Sequence, residues 1–348
     1  VERVPVVIAS PLEPELVELL RAVDERLDVR FEPELLPPPR YPSDHHGEES
    51  FERTPEQEER FAELVAGAEV LFGIPAESPE RLAWAVRAAP GLRFVQATAA
   101  GAGQQVRRAE LTAPELERVA VSSASGVHAV PLAEWSIFGL LAFTKQLPRL
   151  RREAAERRWE HYPLDELRGQ TLLVVGVGAI GLEVARLASA FGMRVVGVKR
   201  HADEQLPYVD SLHPPGELHE LVGDAQAIVV TLPLTDETRG LIDRETISRM
   251  RDGAIFVNVG RGKVVDEEAL IEALRSGKLA GAALDVTAKE PLPPESPLWE
   301  MENVILSPHT AALSWHENER IVELFAENLR RYLRGDELLS RVRTSAFY

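Results

Sequence analysis

Thr171 to Gly181 reads TLLVVGVGAIG, an apolar run that leads straight into Gly176, Gly178 and Gly181 and then into an amphipathic helical stretch. That G-x-G-x-x-G spacing suits the binding of a dinucleotide. The first glycine permits a tight turn, the second lets the backbone approach a pyrophosphate, and the third lets the helix pack closely on the strand. The helix beginning at Ala179 and Ile180 would turn its free N–H groups and positive dipole end toward the phosphates. A glycine triplet alone is weak; a strand before it and a helix after it supply the context the motif requires. An acidic residue roughly 20 positions farther on ordinarily holds the adenine ribose hydroxyls. Here the strand RVVGV ends instead in Lys199, Arg200 and His201. Two readings stand: a cationic pocket for the 2′-phosphate of NADP, built from charge-assisted hydrogen bonds, or ordinary exposed basic residues at a strand end. On the first, NADP(H) is favoured over NAD(H).

Such a motif must be carried by a βα framework, and the whole chain reads as one. Over the first 122 residues short apolar runs (Val4 to Ala9, Val29 to Phe31, Glu69 to Gly73, Arg93 to Ala97, Val119 to Ser122) alternate with amphipathic stretches from about Glu13, over Glu56 to Ala66, and up to Ala89. Strict alternation implies βα units around a parallel sheet. The segment Leu35 to Ser50, rich in Pro and polar residues, reads as an exposed loop or insertion. Val130 to Leu147 is mostly apolar and opens with Pro131, as a buried helix would; the basic stretch after it has the charge pattern of a solvated helical face. A second series begins at Thr171 to Val175. It continues with a helix over Ile180 to Phe191 and strands at Arg194 to Val198, Ala227 to Thr231, Ala254 to Val259, Ala280 to Val286 and Val304 to Leu306. A last helix spans about Ser314 to Leu333.

Length and composition narrow the class. A chain of 348 residues exceeds what one hydrophobic core usually organises, so two domains are expected. With 45% hydrophobic and 27% charged residues, the protein is globular in composition. Its net charge of −17 is spread through the helical stretches, which argues against nucleic acid or an anionic membrane as partner. The absence of cysteine removes disulfides, thiolate nucleophiles and Cys-ligated metals. No metal site is expected. Neither a secretion signal nor an apolar run of bilayer length stands out, so a cytoplasmic location is expected.

The motifs that follow the glycine signature are VNVGRG at Val257 to Gly262, ALDVTAKEPLP at Ala283 to Pro293 and SPHTAA at Ser307 to Ala312. TLPLTDETRGLI at Thr231 to Ile242 and NLRRYLRGDEL at Asn328 to Leu338 complete the series. In order and interval they resemble the D-2-hydroxyacid dehydrogenase family over nearly the whole chain. The resemblance implies interconversion of a small 2-oxo acid and its D-2-hydroxy acid, with Arg261, Glu290 and His309 as catalytic centre. The chemistry is coherent with those types. A planar guanidinium at Arg261 suits a carboxylate beside a polarised carbonyl. His309 can give or take the proton at the carbonyl oxygen because imidazole titrates near neutrality, and Glu290 would orient it and stabilise its cation. The resemblance also carries cofactor contacts onto Thr231, Pro233, Thr238, Val259 and Gly260. Asp285 is open between a place near the nicotinamide and a structural carboxylate at a strand end. In the first domain, QATAAGAGQQ resembles the segment whose backbone amides take the substrate carboxylate, which assigns Ala100, Gly101 and Ala102 alongside Arg261. Gly103 and Gln104 depart from the pattern of many relatives, and a plain strand-to-helix turn is the alternative there.

The implied fold is α/β: two Rossmann-like domains with parallel sheets, the dinucleotide-binding domain (123–312) inserted into a flavodoxin-like substrate domain (1–122 and 313–348). The resemblance further implies an active site between the lobes, closed against water before hydride transfer, and a homodimer formed through the cofactor domain. Glyoxylate or hydroxypyruvate reduction is the nearest concrete activity. A corepressor-like protein that senses the dinucleotide is the rival of another class.

Overall fold

Strand and helix alternate along the chain as the apolar pattern requires. The computed structural model describes residues 3–344 and divides them between two units, 3–128 with 313–344, and Ala129–Ala312. The first unit opens with β1 (Val4–Ile8), α1 (Pro14–Arg21), β2 (Leu27–Arg30), α2 (Pro55–Ala66) and β3 (Val70–Phe72). It continues through α3 (Pro79–Ala88), β4 (Phe94–Gln96), α4 (Ala102–Arg108), α5 (Ala113–Arg118) and β5 (Ala120–Ser122). All strand pairs are parallel, in the order β2-β1-β3-β4-β5. This is the flavodoxin-like order, and β3 and β4 are buried at every residue because helices cover both faces. Local signals set the helix starts: α2 begins at Pro55 behind a capping box between Thr54 and Gln57.

The second unit begins with α6 (Ala129–Thr144) and α7 (Leu147–Ala155), followed by β6 (Thr171–Val175), α8 (Ala179–Ala190), β7 (Arg194–Val198) and β8 (Ser211–His213). Then come α9 (Leu218–Leu221), β9 (Ala227–Val230), α10 (Arg244–Arg249), β10 (Ala254–Asn258), α11 (Glu267–Arg275), β11 (Leu279–Leu284) and β12 (Val304–Leu306). Its seven strands are parallel in the order β12-β11-β10-β9-β6-β7-β8. The order reverses between β6 and β9, so a crevice opens beyond their carboxyl ends, where open sheets of this kind take ligands. The apolar segment read as one helix to Leu147 stops at Thr144. Gln146 takes a left-handed φ of 51° and the chain restarts as α7.

The chain then returns to the first unit as α12 (Glu317–Arg334), whose start lies three residues later than the sequence suggested. Phe325 of α12 is fully buried against Phe72 and Phe94, 5.2 and 5.8 Å between ring centroids. Asn318, near the start of α12, meets Glu13 just past β1, while Tyr332 near its end meets Glu69 just before β3. The helix therefore runs antiparallel to the strands, and Glu317 lies at the carboxyl edge of the sheet. The segment Leu35 to Ser50 is irregular, as expected, but not simply exposed. Leu35, Leu36, Ser43 and Asp44 are buried, Asp44 accepting from the backbone and side chain of Arg40 at 3.0 and 2.7 Å. No helix among the described residues is long and apolar enough to cross a membrane.

Candidate active site

The glycine motif occupies the crevice of the second unit. Gly176 follows β6 with φ of 103°, a conformation that side chains resist, and a Cβ there would press on Leu232 at 2.8 Å. At Gly181 a Cβ would lie 2.2 Å from the Gly176 carbonyl oxygen, so only glycine lets α8 sit this close to the turn. A Cβ at Gly178 would meet nothing within 4 Å, which leaves open space in front of the first turn of α8 at Ala179 and Ile180. This cradle fits a pyrophosphate. Across the switch point the Thr231 hydroxyl donates to the Gly176 carbonyl and fixes the turn. Thr238 is spent on its own loop: its hydroxyl donates to the Pro233 carbonyl at 2.6 Å and accepts from the Thr235 amide at 2.8 Å.

At the end of β7, Lys199 pairs with Glu204, and Arg200 lies 4.0 Å from Glu237 with both side chains well exposed. The Glu237 carboxyl is held below its ordinary range, first by the Thr235 hydroxyl and its own backbone amide, then by Arg200. Exposed pairs of this kind are worth little.

Arg261, Glu290 and His309 all stand on loops beyond the carboxyl ends of β10, β11 and β12. Arg261 is exposed, and its guanidinium reaches back to the Gly260 carbonyl at 2.7 Å. Asn258, buried at the end of β10, accepts from the Gly260 amide at 3.0 Å and donates to the Arg261 carbonyl at 3.3 Å, bracing the Val259-Gly260-Arg261 turn. His309 Nδ1 lies 2.8 Å from Glu290 Oε2, while Glu290 Oε1 accepts from the Thr287 amide at 3.1 Å. A carboxylate acceptor requires the proton on Nδ1, which leaves Nε2 to face a substrate. His309 is held with φ of 53°, its amide shared between the Asp285 and Ser307 carbonyls at 2.9 Å each. Asp285 itself is buried and accepts from the Ser307 hydroxyl and the amides of Thr310 and Ala311 at 2.6 to 2.9 Å. All three bonds fall on Oδ1 and tie down the loop bearing His309.

In the first unit, Ala100, Gly101 and Ala102 form the turn from β4 into α4, the first two exposed. Among the described residues none of their three amides donates to a protein acceptor. Sequence reasoning did not single out Asn258 or Ser307. Both lie inside motifs that were recognised, so position within VNVGRG and SPHTAA was the available signal.

Residues 137–311 match the family described as D-isomer specific 2-hydroxyacid dehydrogenase, NAD binding domain. A glyoxylate reductase of Korarchaeum cryptofilum is 35% identical over 258 residues, which cover 72% of this chain and 75% of that protein. Among solved structures, a D-isomer specific 2-hydroxyacid dehydrogenase from Xanthobacter autotrophicus Py2, in complex with NADPH and MES, superposes with a TM-score of 0.76 at 29% identity, covering 100% of both chains. An NADPH-dependent glyoxylate/hydroxypyruvate reductase from Sinorhizobium meliloti, in complex with NADP and sulfate, gives a TM-score of 0.74 at 25% identity and covers 99% of this chain and 100% of that one. The chain thus belongs to the D-isomer specific 2-hydroxyacid dehydrogenases, and it is an NAD(P)-dependent oxidoreductase that transfers hydride between the cofactor and a small 2-oxo acid/2-hydroxy acid pair.

Proposed function

We propose that this dehydrogenase works as an NADP(H)-preferring reductase of small 2-oxo acids of the glyoxylate and hydroxypyruvate class. The His309–Glu290 pair, 2.8 Å apart on loops at the carboxyl edge of the sheet that holds the glycine cradle, carries the proton-transfer chemistry, and the likeness to glyoxylate and hydroxypyruvate reductases supports the substrate class. Bound cofactor supplies the hydride. The protein's part is to hold the acid and move one proton. His309 Nε2 gives that proton to the carbonyl oxygen in reduction and takes it from the hydroxyl in oxidation, while Glu290 keeps the ring in the required tautomer and stabilises its cation. Arg261 is assigned the carboxylate and carbonyl of the substrate, and the amides of Ala100, Gly101 and Ala102 are assigned as carboxylate donors. Gly176 to Gly181 hold the pyrophosphate, Lys199 and Arg200 the 2′-phosphate, and Thr231, Pro233, Thr238, Val259 and Gly260 line the rest of the dinucleotide.

A homodimer formed through the second unit is part of the proposal. Support comes from its exposed apolar side chains: Phe138 on α6 is 46% exposed and Trp159, beyond α7, 91%. The proposed location is the cytoplasm. The test is an initial-rate screen of glyoxylate, hydroxypyruvate, pyruvate, phenylpyruvate and branched 2-oxo acids with NADPH and with NADH, with sedimentation for the assembly. The expected result is highest kcat/KM for glyoxylate and hydroxypyruvate with NADPH. Preference for a bulky apolar acid would replace the substrate class and leave the family assignment in place.

A further inference from the structure

The stretch Ala99–Gly103 carries no side chain larger than a methyl group, so no side chain of its own helps to fix the direction of its amides. The Ala124 amide holds the Ala99 carbonyl at 3.2 Å, and a residue from another loop adds a side-chain hold on both ends. Ala76 and Glu77, between β3 and α3, both adopt left-handed φ values, 53° and 48°. Residues other than glycine keep that conformation when the surroundings over-determine it, and such places gather at ligand clamps. The Glu77 carboxylate accepts from the Thr98 hydroxyl at 2.8 Å through Oε1 and from the Gln105 side-chain Nε2 at 3.2 Å through Oε2. The same Gln105 amide donates to the Glu77 carbonyl at 3.0 Å. Thr98 comes just before the turn and Gln105 just after it, and Thr98 is buried. One carboxylate therefore ties together both ends of the segment that presents Ala100, Gly101 and Ala102.

We propose that Glu77 is a positioning residue for substrate binding: with Thr98 and Gln105 it clamps the Ala100–Ala102 turn so that its amides stay aimed at the substrate carboxylate. This rests on the reading that those amides bind the 2-oxo acid. Both carboxylate oxygens are occupied by donors, so the clamp acts through the turn and leaves substrate contact to the backbone. Charge-assisted bonds are the stronger class, and the pre-aimed donors they maintain lower the ordering cost of binding.

The test compares the wild-type enzyme with Glu77→Ala, Thr98→Val, the double variant and Thr98→Ser. Readouts are kcat and KM for glyoxylate, the Kd of NADPH, and the Kd of oxamate, an unreactive 2-oxo acid mimic, measured by calorimetry on the NADPH-loaded protein. Glu77→Ala and Thr98→Val should each raise the glyoxylate KM and oxamate Kd by roughly ten-fold, with kcat within about two-fold and NADPH affinity unchanged. The double variant should be no worse than Glu77→Ala, because both changes open one clamp, and Thr98→Ser should retain wild-type values. Unchanged oxamate affinity in both single variants overturns the clamp while leaving the substrate reading intact. Parallel loss of kcat and NADPH affinity, or additive losses in the double variant, overturns it as well. A wild-type enzyme that neither binds oxamate nor reduces any 2-oxo acid overturns the substrate reading, and the clamp falls with it.

Discussion

His309 spends its Nδ1 proton on Glu290, so in the proposed mechanism all proton traffic passes through Nε2 and none through the dinucleotide site. Replacing His309 with Ala should lower kcat by roughly 100- to 10,000-fold, the usual worth of a positioned acid, while the NADPH Kd measured by fluorescence titration stays within about two-fold. A variant that keeps half of wild-type kcat on a substrate with rate-limiting chemistry would remove His309 from that role. Arg261 is argued on geometry of another kind. Its guanidinium is exposed and its hydrogen bond to the Gly260 carbonyl uses one nitrogen, which leaves a fork for a carboxylate. Arg261→Lys keeps the charge and loses the fork, so KM for the oxo acid should rise and kcat/KM fall with little change in cofactor affinity. Steady-state kinetics with each substrate varied in turn decides it. These three residues were legible because each lies in an ordered motif whose chemistry is written in the residue types. The groups that hold them were less so. Asp285 reaches the amides of Thr310 and Ala311, 25 and 26 positions away, and no local spacing reveals such a bond.

At the level of elements, the contact that periodicity could least foresee joins the segment after β2 to the start of α12. Ser43 lies within hydrogen-bonding reach of the Ser314 carbonyl, 271 positions distant, and the buried carboxylate of Glu317 lies 3.0 Å from His128 and 3.8 Å from His45. Polar, Pro-rich sequence reads as exposed loop because its burial rests on paired charges and hydrogen bonds, which leave no apolar period. The strands and long helices, by contrast, were visible because an apolar face repeats along them. β8, with a single apolar residue in Ser211–His213, and the four-residue α9 offer no apolar run to read. Burial pushes the Glu317 carboxyl up, but the hydrogen bond with His128 and the nearby His45 ring outweigh it and hold the group at about 2. A carboxyl depressed from about 4.5 in the unfolded chain contributes stability above that value, on the order of 3 kcal/mol, and loses it as pH falls toward 2. Glu317→Gln should therefore be less stable than wild type at pH 7, with the gap closing between about pH 4.5 and 2. Urea unfolding at stepped pH measures it, and a gap of constant size from pH 7 to pH 3 would show that Glu317 does not act through its charge.

On the scale of the whole molecule, a net charge of −17 works against every anionic ligand this enzyme must take up, and against NADPH more than NADH because of the extra phosphate. Preference for NADPH then requires local attraction at Lys199 and Arg200 to exceed a repulsion that is spread over the surface. The two effects respond differently to salt. The diffuse field reaches far at 0.01 M ionic strength, where the screening length is about 30 Å, and is largely damped by 0.1 M, where it is about 10 Å. An exposed cation in contact with the 2′-phosphate loses strength over the same range, yet it is absent altogether once its charge is removed. In the variant carrying Lys199→Gln and Arg200→Gln, only the diffuse repulsion remains to act on the extra phosphate. Its KM ratio of NADPH to NADH should start above that of wild type and fall as salt is added. In wild type the ratio should start low and rise, because the contacts proposed to create the preference are exposed, Arg200 most of all. Initial rates with both cofactors between 0.01 and 0.15 M salt give the two curves, which should converge. Parallel curves for wild type and variant would place the 2′-phosphate away from Lys199 and Arg200, and the cofactor preference would then have to be carried by other residues of the second unit.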